Sequence, residues 1–413
     1  MQRLSSLWNE ICARTDYEKC ERPRAARFSN QAVLDLLQQL GQPQFKYASL
    51  HVAGSKGKGS VAHFLALGLR EAGFRVGSYS SPHLCDWRER IQVQLQYASD
   101  FRYAAALERV LAVAKGEQTF FDLLTAAAFD VFAAEKCDVA VVEVGLGGRY
   151  DSTRALDPVA SIVTSIEMEH ADVLGPDLQS IAWNKAGIFS ENSQAWIGDG
   201  IPSAALQVLE AEAKKLNLQC QTATPSGRVE IAHPQAHMLQ NFDLAHSILA
   251  ANADRWPGAA GALLRLPSEK LSMPGRWEFR QLTDGRIAVF DVAHSQNSIA
   301  AVVQAFRQQF PEQQRGVVIA LRDDKNGSEL ATELGQQIGP QPENEKWWAA
   351  PAGDHPRSAN PQELASAWNA AGWQVQAISE VAFPEAADVL LITGSTYLVG
   401  ALRNQTTAVI PAE

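Results

Sequence analysis

The sequence predicts a two-domain α/β protein with mostly parallel sheets, and three observations support this fold class. The chain has 413 residues, a length that suits two or three domains of about 150 residues each. Apolar strand-like runs alternate with helix-like segments nearly throughout, as in parallel α/β layers. The segment S-M-P-G-R-W at 272–277 interrupts this alternation with proline and glycine, as a linker does. We therefore expect an N-terminal domain over 1–273 and a smaller C-terminal domain over 274–413.

The composition is that of an ordinary globular protein. Hydrophobic residues make up 46% of the chain and charged residues 20%, which excludes a disordered chain. The net charge of −10 argues against general nucleic-acid binding, because neutralising phosphates needs a concentrated positive face. No apolar run reaches the roughly 20 residues that span a bilayer, and the first residues lack the apolar core of a signal peptide. The cysteines form no C-x-x-C pair, so we expect free thiols in a cytoplasmic protein: Cys12, Cys20, Cys85, Cys137 and Cys220.

Hydrophobic periodicity and turn residues place the individual elements. In the N-terminal part, residues 48–53, 60–71 and 74–79 form one strand–helix–strand unit, and a helix at 123–134 leads into a strand at 139–144. The pattern further predicts strands at 161–166, 287–291, 317–321, 375–378 and 389–393, helices at 178–186 and 239–256, a helix from Asn297, and a surface loop at 336–344.

The strongest signal is a glycine-rich loop between the first strand and the first helix of that unit, G-S-K-G-K-G-S at 54–60. Glycines let backbone N–H groups turn toward an anion, and the following helix N-terminus adds a partial positive charge. Lys58 could reach the outer phosphates of a nucleotide, and Ser60 could bind Mg²⁺. The strict P-loop pattern is not met, because Gly59 separates Lys58 from Ser60. A tight turn without a ligand is the alternative, although a turn alone needs neither the lysine nor the serine.

Acidic and basic side chains follow the next predicted strands. Glu143 ends the apolar run at 139–144 and precedes G-L-G-G-R, the position where a Mg²⁺ ligand follows a buried strand. His170 follows the strand at 161–166 and is only weak evidence for a metal ligand by itself. Lys185 begins K-A-G-I; a desolvated, neutral lysine can add CO₂, whereas a solvent-facing helix lysine would not.

Together these motifs resemble those of folylpolyglutamate synthases and dihydrofolate synthases, and of the related Mur ligases. The run E-V-G-L-G-G-R-Y-D-S-T at 143–153 resembles the family's E-V-G-L-G-G-R-x-D-A-T-N, and the loop at 54–60 resembles its ATP loop. Further similar segments are S-P-H-L at 81–84, T-F-F-D at 119–122, T-S-I-E-M-E-H at 164–170, P-G-R at 274–276 and D-V-A-H at 291–294. The similarity extends from about residue 30 to residue 405 and implies a P-loop ATPase-like N-terminal domain with a Rossmann-like C-terminal domain.

The resemblance also implies roles for individual residues. Lys58, Lys185 and His170 are the expected catalytic residues, and Lys185 matches a lysine that is carbamylated in many relatives. For Phe121, the alternative to a substrate-binding role is that of an ordinary core aromatic at the start of a helix. The expected ATP-binding residues are Gly54, Ser55, Lys56, Gly57, Lys58, Gly59, Ser60, Asn241, Arg276, Asp291 and His294. The expected ligands of two Mg²⁺ ions are Ser60, Glu143, His170 and Lys185. The expected substrate-binding residues are Ser81, Pro82, His83, Thr119, Phe121 and Asp151.

The implied activity is ATP- and Mg²⁺-dependent addition of L-glutamate to dihydropteroate, to (poly)glutamylated reduced folate, or to both, through an acyl phosphate. A pterin substrate is favoured over a UDP-muramyl substrate because the ATP loop begins near residue 54, which leaves no room for a separate UDP-binding domain before it. We expect a monomer without nucleic-acid or membrane partners. Two alternatives stay open: a P-loop nucleotide hydrolase or regulatory protein, and a non-catalytic family member.

Three departures from the family pattern bear on substrate preference. Lys56, Arg154 and Ser295 stand where the family has asparagine. We hypothesise that Lys56 and Arg154 add positive charge for an anionic arm of the substrate.

Overall fold

The computed structural model describes residues 2–17, 29–228, 231, 233, 237–323, 326–353, 356–406 and 408–409. The chain divides into two compact units. The first comprises Met1–His83, Trp87–Val229 and His237–Leu266, and the second comprises Leu84–Asp86, Glu230–Ala236 and Pro267–Glu413. Each unit has its own sheet with helices on its faces, so the mixed α/β fold class is confirmed.

The sheet of the first unit has eight strands, and its central pairs are parallel. Its strand order is β4-β3-β2-β5-β1-β6-β7-β8. The strands β1, β2, β5, β6, β7 and β8 pair in parallel, whereas β3 and β4 extend one edge in antiparallel fashion. The strands are β1 (Ala48–Ala53), β2 (Val76–Tyr79), β3 (Ile91–Val93), β4 (Gln96–Tyr97), β5 (Val139–Glu143), β6 (Ala160–Val163), β7 (Gln194–Ile197) and β8 (Cys220–Thr222).

Helices cover the first sheet and bury its central strands. All five residues of β5 are buried, as expected for a strand with helices on both faces of its sheet. The helices are α1 (Gln2–Cys12), α2 (Gln31–Gln39), α3 (Lys58–Glu71), α4 (Asp100–Val113), α5 (Phe120–Ala134), α6 (Ala171–Leu174), α7 (Leu178–Lys185), α8 (Ser203–Lys215), α9 (His237–Ala251) and α10 (Ala259–Leu264).

The second unit is built around a seven-stranded sheet of order β13-β12-β11-β14-β10-β9-β15. Strands β10 to β14 pair in parallel, and β9 and β15 close one edge in antiparallel pairing. The elements are β9 (Glu278–Gln281), β10 (Ile287–Phe290), α11 (Gln296–Gln309), β11 (Arg315–Ile319), α12 (Gly327–Ile338), β12 (Glu345–Ala349), α13 (Pro361–Ala370), β13 (Val375–Ala377), β14 (Val389–Thr393), α14 (Thr396–Arg403) and β15 (Ala408–Val409).

Several boundaries differ from those that the sequence predicted. The predicted loop at 336–344 begins inside α12, whose amphipathic pattern continues to Ile338. The predicted strand at 161–166 spans Ala160–Val163, and the helix predicted to reach 256 ends at Ala251. Cys20 lies outside the described residues; the described cysteines, Cys12, Cys85, Cys137 and Cys220, form no disulfide with one another.

Within the described residues, helix length and hydropathy together identify no candidate membrane span.

Candidate active site

The glycine-rich loop joins β1 to α3, and two of its glycines adopt backbone conformations that side chains disfavour. Gly54 has φ +150° and Gly57, which precedes the first turn of α3, has φ +82°. A Cβ atom on Gly54 would lie 1.9 Å from Thr164 Oγ1, and one on Gly57 would lie 2.6 Å from Asn241 Oδ1. At these two positions the loop backbone therefore lies too close to Thr164 and Asn241 to leave room for a side chain.

Asn241, on α9, lies against this loop from the other side. Its amide oxygen faces Gly57, and its buried amide nitrogen has no hydrogen-bond partner among the described residues. Buried polar atoms are nearly always paired, and an unpaired one calls for a water, an ion or a ligand. This geometry is compatible with the predicted nucleotide contact of Asn241, which stays a prediction.

Lys58 begins α3 and folds back over the loop. Its Nζ donates to the carbonyl of Gly54 at 3.0 Å and to that of Ser55 at 3.3 Å. The helix N-terminus places free backbone N–H groups and a partial positive charge beside the same ammonium. The loop thus concentrates positive charge where a polyphosphate would bind.

Glu143 ends β5 next to the loop. Strand β5 pairs with β1 so that Val52 lies opposite Glu143. The carboxylate is buried, and its Oε2 lies 3.6 Å from the position that a Cβ on Gly59 would occupy. The sheet register therefore brings Glu143 to the first turn of α3, beside Lys58 and Ser60.

Lys185, at the end of α7, reaches the loop from a third direction. Its side chain is only 2% exposed, and its Nζ donates to the Gly54 carbonyl at 2.9 Å and to Glu169 Oε1 at 2.7 Å. Burial lowers the pKa of Lys185 to about 8, even though the neighbouring Glu169 carboxylate opposes this shift. This amine is therefore neutral far more often than an exposed lysine.

Glu169 is a site residue that the sequence did not indicate. Burial disfavours its charged form, but the ammonium groups of Lys185 and Lys58 outweigh this and lower the pKa of Glu169. The residue after it, His170, adopts a left-handed backbone conformation with φ +45° at the start of α6. A small cavity opens between these side chains and the loops, lined by Gly54, Lys58, Val144, Gly145, Leu146, Gly147, Glu169, His170 and Lys185.

The donor chemistry here suits Mg²⁺. Among the described residues no three His, Cys, Asp or Glu side chains are placed to hold a metal ion together. The carboxylate of Glu143 and the hydroxyl of Ser60 are nevertheless hard oxygen donors beside the phosphate loop. Magnesium is commonly held by one or two protein ligands and completes its shell with waters and substrate phosphates. The residues present fit a metal ion that arrives with a nucleotide.

Two of the predicted substrate-binding residues, Phe121 and Asp151, contact the glycine loop at 145–148. The ring of Phe121 lies against Gly145, where a Cβ would fall 2.5 Å from the ring. Thr119 caps α5 together with Asp122, whose carboxylate also accepts from the Ser152 hydroxyl at 2.6 Å. Asp151 accepts from the backbone N–H of Leu146 at 2.9 Å. These contacts give Thr119 and Asp151 structural roles, and their substrate contacts stay predictions.

The loop containing Ser81, Pro82 and His83 approaches Glu143. The N–H of Ser81 donates to Glu143 Oε2 at 3.4 Å. His83 Nδ1 accepts from the buried Arg90 guanidinium at 2.8 Å, which orients its ring. This places Ser81 at the carboxylate of Glu143, the predicted metal ligand, a contact that the sequence did not indicate.

Three predicted ATP-binding residues belong to the second unit. The buried carboxylate of Asp291 accepts from the N–H groups of Trp277 and Ala293, both at 2.9 Å. His294 Nδ1 lies 3.0 Å from the Val292 carbonyl and donates to it. Arg276 is half-buried in the turn before β9. Their contacts with a nucleotide stay predictions.

The departures from the family pattern have partners inside the chain. Lys56 Nζ forms an ion pair with Glu167 at 2.7 Å, and Arg154 donates to the Phe189 carbonyl at 3.3 Å. Ser295 caps α11 through Ser298. Neither Lys56 nor Arg154 lies among the residues that line the cavity. The hypothesis that both side chains attract an anionic substrate arm stays a prediction.

Sequence and structure comparisons identify the family. Residues 52–198 match the Mur ligase middle domain, and residues 275–396 match the Mur ligase glutamate ligase domain. The dihydrofolate synthase/folylpolyglutamate synthase of Escherichia coli (strain K12) is 31% identical over 84% of this chain and 84% of its own length. The chain belongs to the dihydrofolate synthase/folylpolyglutamate synthase family. The protein of the same name from Bacillus subtilis (strain 168) is 29% identical over 90% of this chain and 93% of that protein.

Solved structures share the fold along nearly the whole chain. A folylpolyglutamate synthase from Thermotoga maritima is 24% identical, with a TM-score of 0.78 over 98% of this chain and 96% of its own. E. coli FolC, whose structure is a complex with DHPP and ADP, is 25% identical, with a TM-score of 0.77 over 96% of this chain and 97% of its own. The resemblance to folate-glutamate ligases that the sequence motifs indicated is therefore confirmed at the level of family and fold.

Proposed function

We propose that this family member is an ATP-dependent amide ligase that joins L-glutamate to dihydropteroate, to (poly)glutamylated reduced folate, or to both, and releases ADP and phosphate. The observation that supports this most directly is the position of the Lys58 ammonium, which donates to the carbonyls of Gly54 and Ser55 in the loop that leads into α3. An ammonium group and a helix N-terminus at one loop form a site for a polyphosphate, and the Lys185 amine reaches the same Gly54 carbonyl. The related folate enzymes give that site its substrate class.

The reaction proceeds in two transfers. An oxygen of the acceptor carboxylate attacks the γ-phosphorus of ATP, the bond to ADP breaks, and an acyl phosphate forms. The amine of L-glutamate then attacks the acyl carbon, loses a proton, and displaces phosphate as the amide bond forms. Lys58 swings from the loop carbonyls onto the phosphates and neutralises the charge that develops there. Burial of the reacting groups keeps water from hydrolysing the acyl phosphate.

Magnesium would be held by Ser60 and Glu143, with a second ion at His170 and Lys185, and would neutralise charge on the phosphates when bound. The lowered pKa of the buried Lys185 supports its expected carbamylation, in which the neutral amine adds CO₂ to give a carbamate and releases one proton. Such a carbamate presents two oxygens, as a carboxylate does. Its formation requires Lys185 to leave the Glu169 carboxylate, because both groups would then be anionic.

The second unit carries three of the predicted ligand contacts. We expect Arg276, Asp291 and His294 to bind ATP, and Asp291 and His294 to bind the incoming glutamate as well; we place the functional boundary between residues 273 and 274. The matched glutamate ligase domain at 275–396 supports this division of labour. We expect the protein to act as a cytoplasmic monomer.

The test is a ligation assay with ATP, Mg²⁺ and isotope-labelled glutamate, with dihydropteroate and tetrahydrofolate offered separately. The product masses identify both the accepted substrate and the number of glutamates added. Lys58→Ala should abolish product, whereas Lys214→Ala, at an exposed position on α8, should not. ATP turnover that does not depend on glutamate would instead indicate a nucleotide hydrolase, and absence of both ATP binding and product would indicate a non-catalytic family member.

Carbamylation has its own measurement. With ¹³C-labelled bicarbonate, the wild-type protein should show a carbamate carbon signal that Lys185→Ala lacks. The Lys214→Ala variant is again the matched control, since its amine is exposed and its loss should leave the signal intact. A wild-type spectrum without a carbamate signal, combined with full ligase activity, would reject this modification and leave the ligase proposal standing.

A further inference from the structure

A buried chain of hydrogen bonds begins at His51, in the middle of β1. The His51 side chain is 1% exposed, and its Nε2 lies 2.8 Å from Thr153 Oγ1. Thr153 belongs to the short 3₁₀ turn Ser152–Ala155, which follows the glycine loop 145–148. The histidine therefore joins the strand before the phosphate loop to the segment after the glycine loop.

The direction of each hydrogen bond follows from the donors present. The Thr153 hydroxyl donates its single proton to Asp151 Oδ1 at 2.5 Å. Its oxygen can then only accept from His51, so the His51 ring must carry its proton on Nε2. Burial lowers the pKa of His51 to about 3, so the ring is neutral and has one N–H to give.

Asp151 links the hydrogen bond between His51 and Thr153 to the backbone that lines the cavity. Its Oδ1 also accepts from the Thr153 N–H at 3.0 Å, and its Oδ2 accepts from the Leu146 N–H at 2.9 Å. Leu146 lies between Gly145 and Gly147, and all three line the cavity beside Lys58 and Lys185. One carboxylate thus fixes the backbone of a segment that glycines would otherwise leave free to move.

We propose that His51 is a positioning residue for the acceptor side of the site: through Thr153 it fixes the Asp151 carboxylate, and through Asp151 it fixes the Leu146 backbone. The hydrogen-bond chain stands on the geometry alone, whereas its kinetic consequence rests on the proposed ligase function. A second contact, from Ser152 to Asp122, holds the same turn independently of His51. The turn should therefore survive loss of the histidine while the carboxylate becomes less constrained.

The kinetic test compares His51→Leu, which removes the donor, with His51→Gln, whose Nε2–H can take its place. Loss of one such hydrogen bond should raise the KM for dihydropteroate about fivefold, while the KM for ATP changes less than about twofold. His51→Gln should restore the acceptor KM. Tyr103→Phe, which removes buried hydrogen bonds to Ile91 and Ala98, is the matched control for lost buried hydrogen bonds and should change neither KM.

A merely structural histidine would give a different result. Equal increases in both KM values, or failure of the glutamine variant to restore the acceptor KM, would overturn the proposal. Thr153→Val should raise the acceptor KM similarly, and adding His51→Leu to it should cause little further increase, because both changes break one chain. Full additivity of the two changes would contradict the chain.

Two measurements decide the matter without enzymatic activity. Nitrogen-15 shifts of the wild-type His51 ring should show the Nε2–H form, and an Nδ1–H form would overturn the assigned chain. Hydrogen exchange of the Leu146 amide should become about fivefold faster in His51→Leu and stay unchanged in His51→Gln and Tyr103→Phe. If the wild-type protein ligates no glutamate, the proposed function is rejected. If hydrogen exchange of the Leu146 amide is unchanged in His51→Leu, the positioning role of His51 is rejected, whatever the activity.

Discussion

Replacing Gly54 by alanine tests whether the phosphate loop depends on its close packing. Gly54 has φ +150°, and a Cβ there would lie 1.9 Å from Thr164 Oγ1 and 3.1 Å from the Thr164 backbone nitrogen. The unfavourable backbone conformation costs about 1 to 2 kcal/mol. The added methyl group would displace the Thr164 hydroxyl and break its hydrogen bond to the Lys56 carbonyl, which costs about 1 kcal/mol of stability. Overpacking around the methyl group costs about 1 to 3 kcal/mol more.

The matched control is Gly73→Ala, at the end of α3. Gly73 has φ +91°, but nothing lies within 4 Å of its Cβ position, so only the backbone cost of about 1 to 2 kcal/mol applies. Urea unfolding should therefore show Gly54→Ala to be less stable than Gly73→Ala by about 2 to 4 kcal/mol. Equilibrium titration should show ATP affinity at least about tenfold weaker in Gly54→Ala and unchanged in Gly73→Ala.

The double variant Gly54→Ala/Thr164→Ala separates the collision from the backbone strain. Removing the Thr164 hydroxyl relieves the 1.9 Å contact, so this variant should recover part of the stability that Gly54→Ala loses. If Gly54→Ala binds ATP as the wild-type protein does, or is no less stable than Gly73→Ala, then close packing at Gly54 does not determine the loop.

Three other predictions concern the loop, a buried ion pair and pH. Gly57→Ala, with a Cβ 2.6 Å from Asn241 Oδ1, should weaken ATP binding in the same titration. Arg403→Met should lower the urea-unfolding free energy by about 1 to 3 kcal/mol, because the buried Glu278 carboxylate loses its bidentate partner while keeping Arg280 and the Gly275 N–H, and adding Glu278→Gln should recover part of the loss. The pKa of His51 is about 3 in the folded protein and near 6.5 in the unfolded chain, so between pH 7 and pH 5 only the unfolded chain gains a proton at this residue. Urea unfolding should therefore show that the wild-type protein loses about 2 kcal/mol more unfolding free energy from pH 7 to pH 5 than His51→Gln does.

The phosphate loop could be predicted from sequence because its determinants are local. A strand, a glycine-rich turn and a helix follow one another at 48–71, and the structure places the strand at Ala48–Ala53 as predicted. The position of Glu143 was also accessible, since parallel strands bring their carboxyl ends to one edge of a sheet. Both inferences needed only neighbouring residues and a general property of parallel sheets.

The contacts that constrain the site could not be predicted in this way. No local pattern marks Glu169, because its ion pair with Lys185 depends on how α6 and α7 turn back to the loop. The hydrogen bond from Ser152 to Asp122 joins residues separated by 30 positions. The two-residue strand β4 has both residues exposed, so no apolar alternation marks it. Such features arise from tertiary packing, which a single sequence does not display.

Gly54 shows why the local motif and the distant contacts depend on one another. Its carbonyl accepts hydrogen bonds from both Lys58 and Lys185, so it fixes where two positive charges lie. Its α-carbon lies against Thr164, just beyond the end of β6, so that strand fixes where the carbonyl lies. The glycine pattern alone would permit many loop shapes. The contact with Thr164 permits one of these shapes. The positions of the lysine ammonium groups at the loop therefore depend on the sheet as much as on the glycine-rich motif.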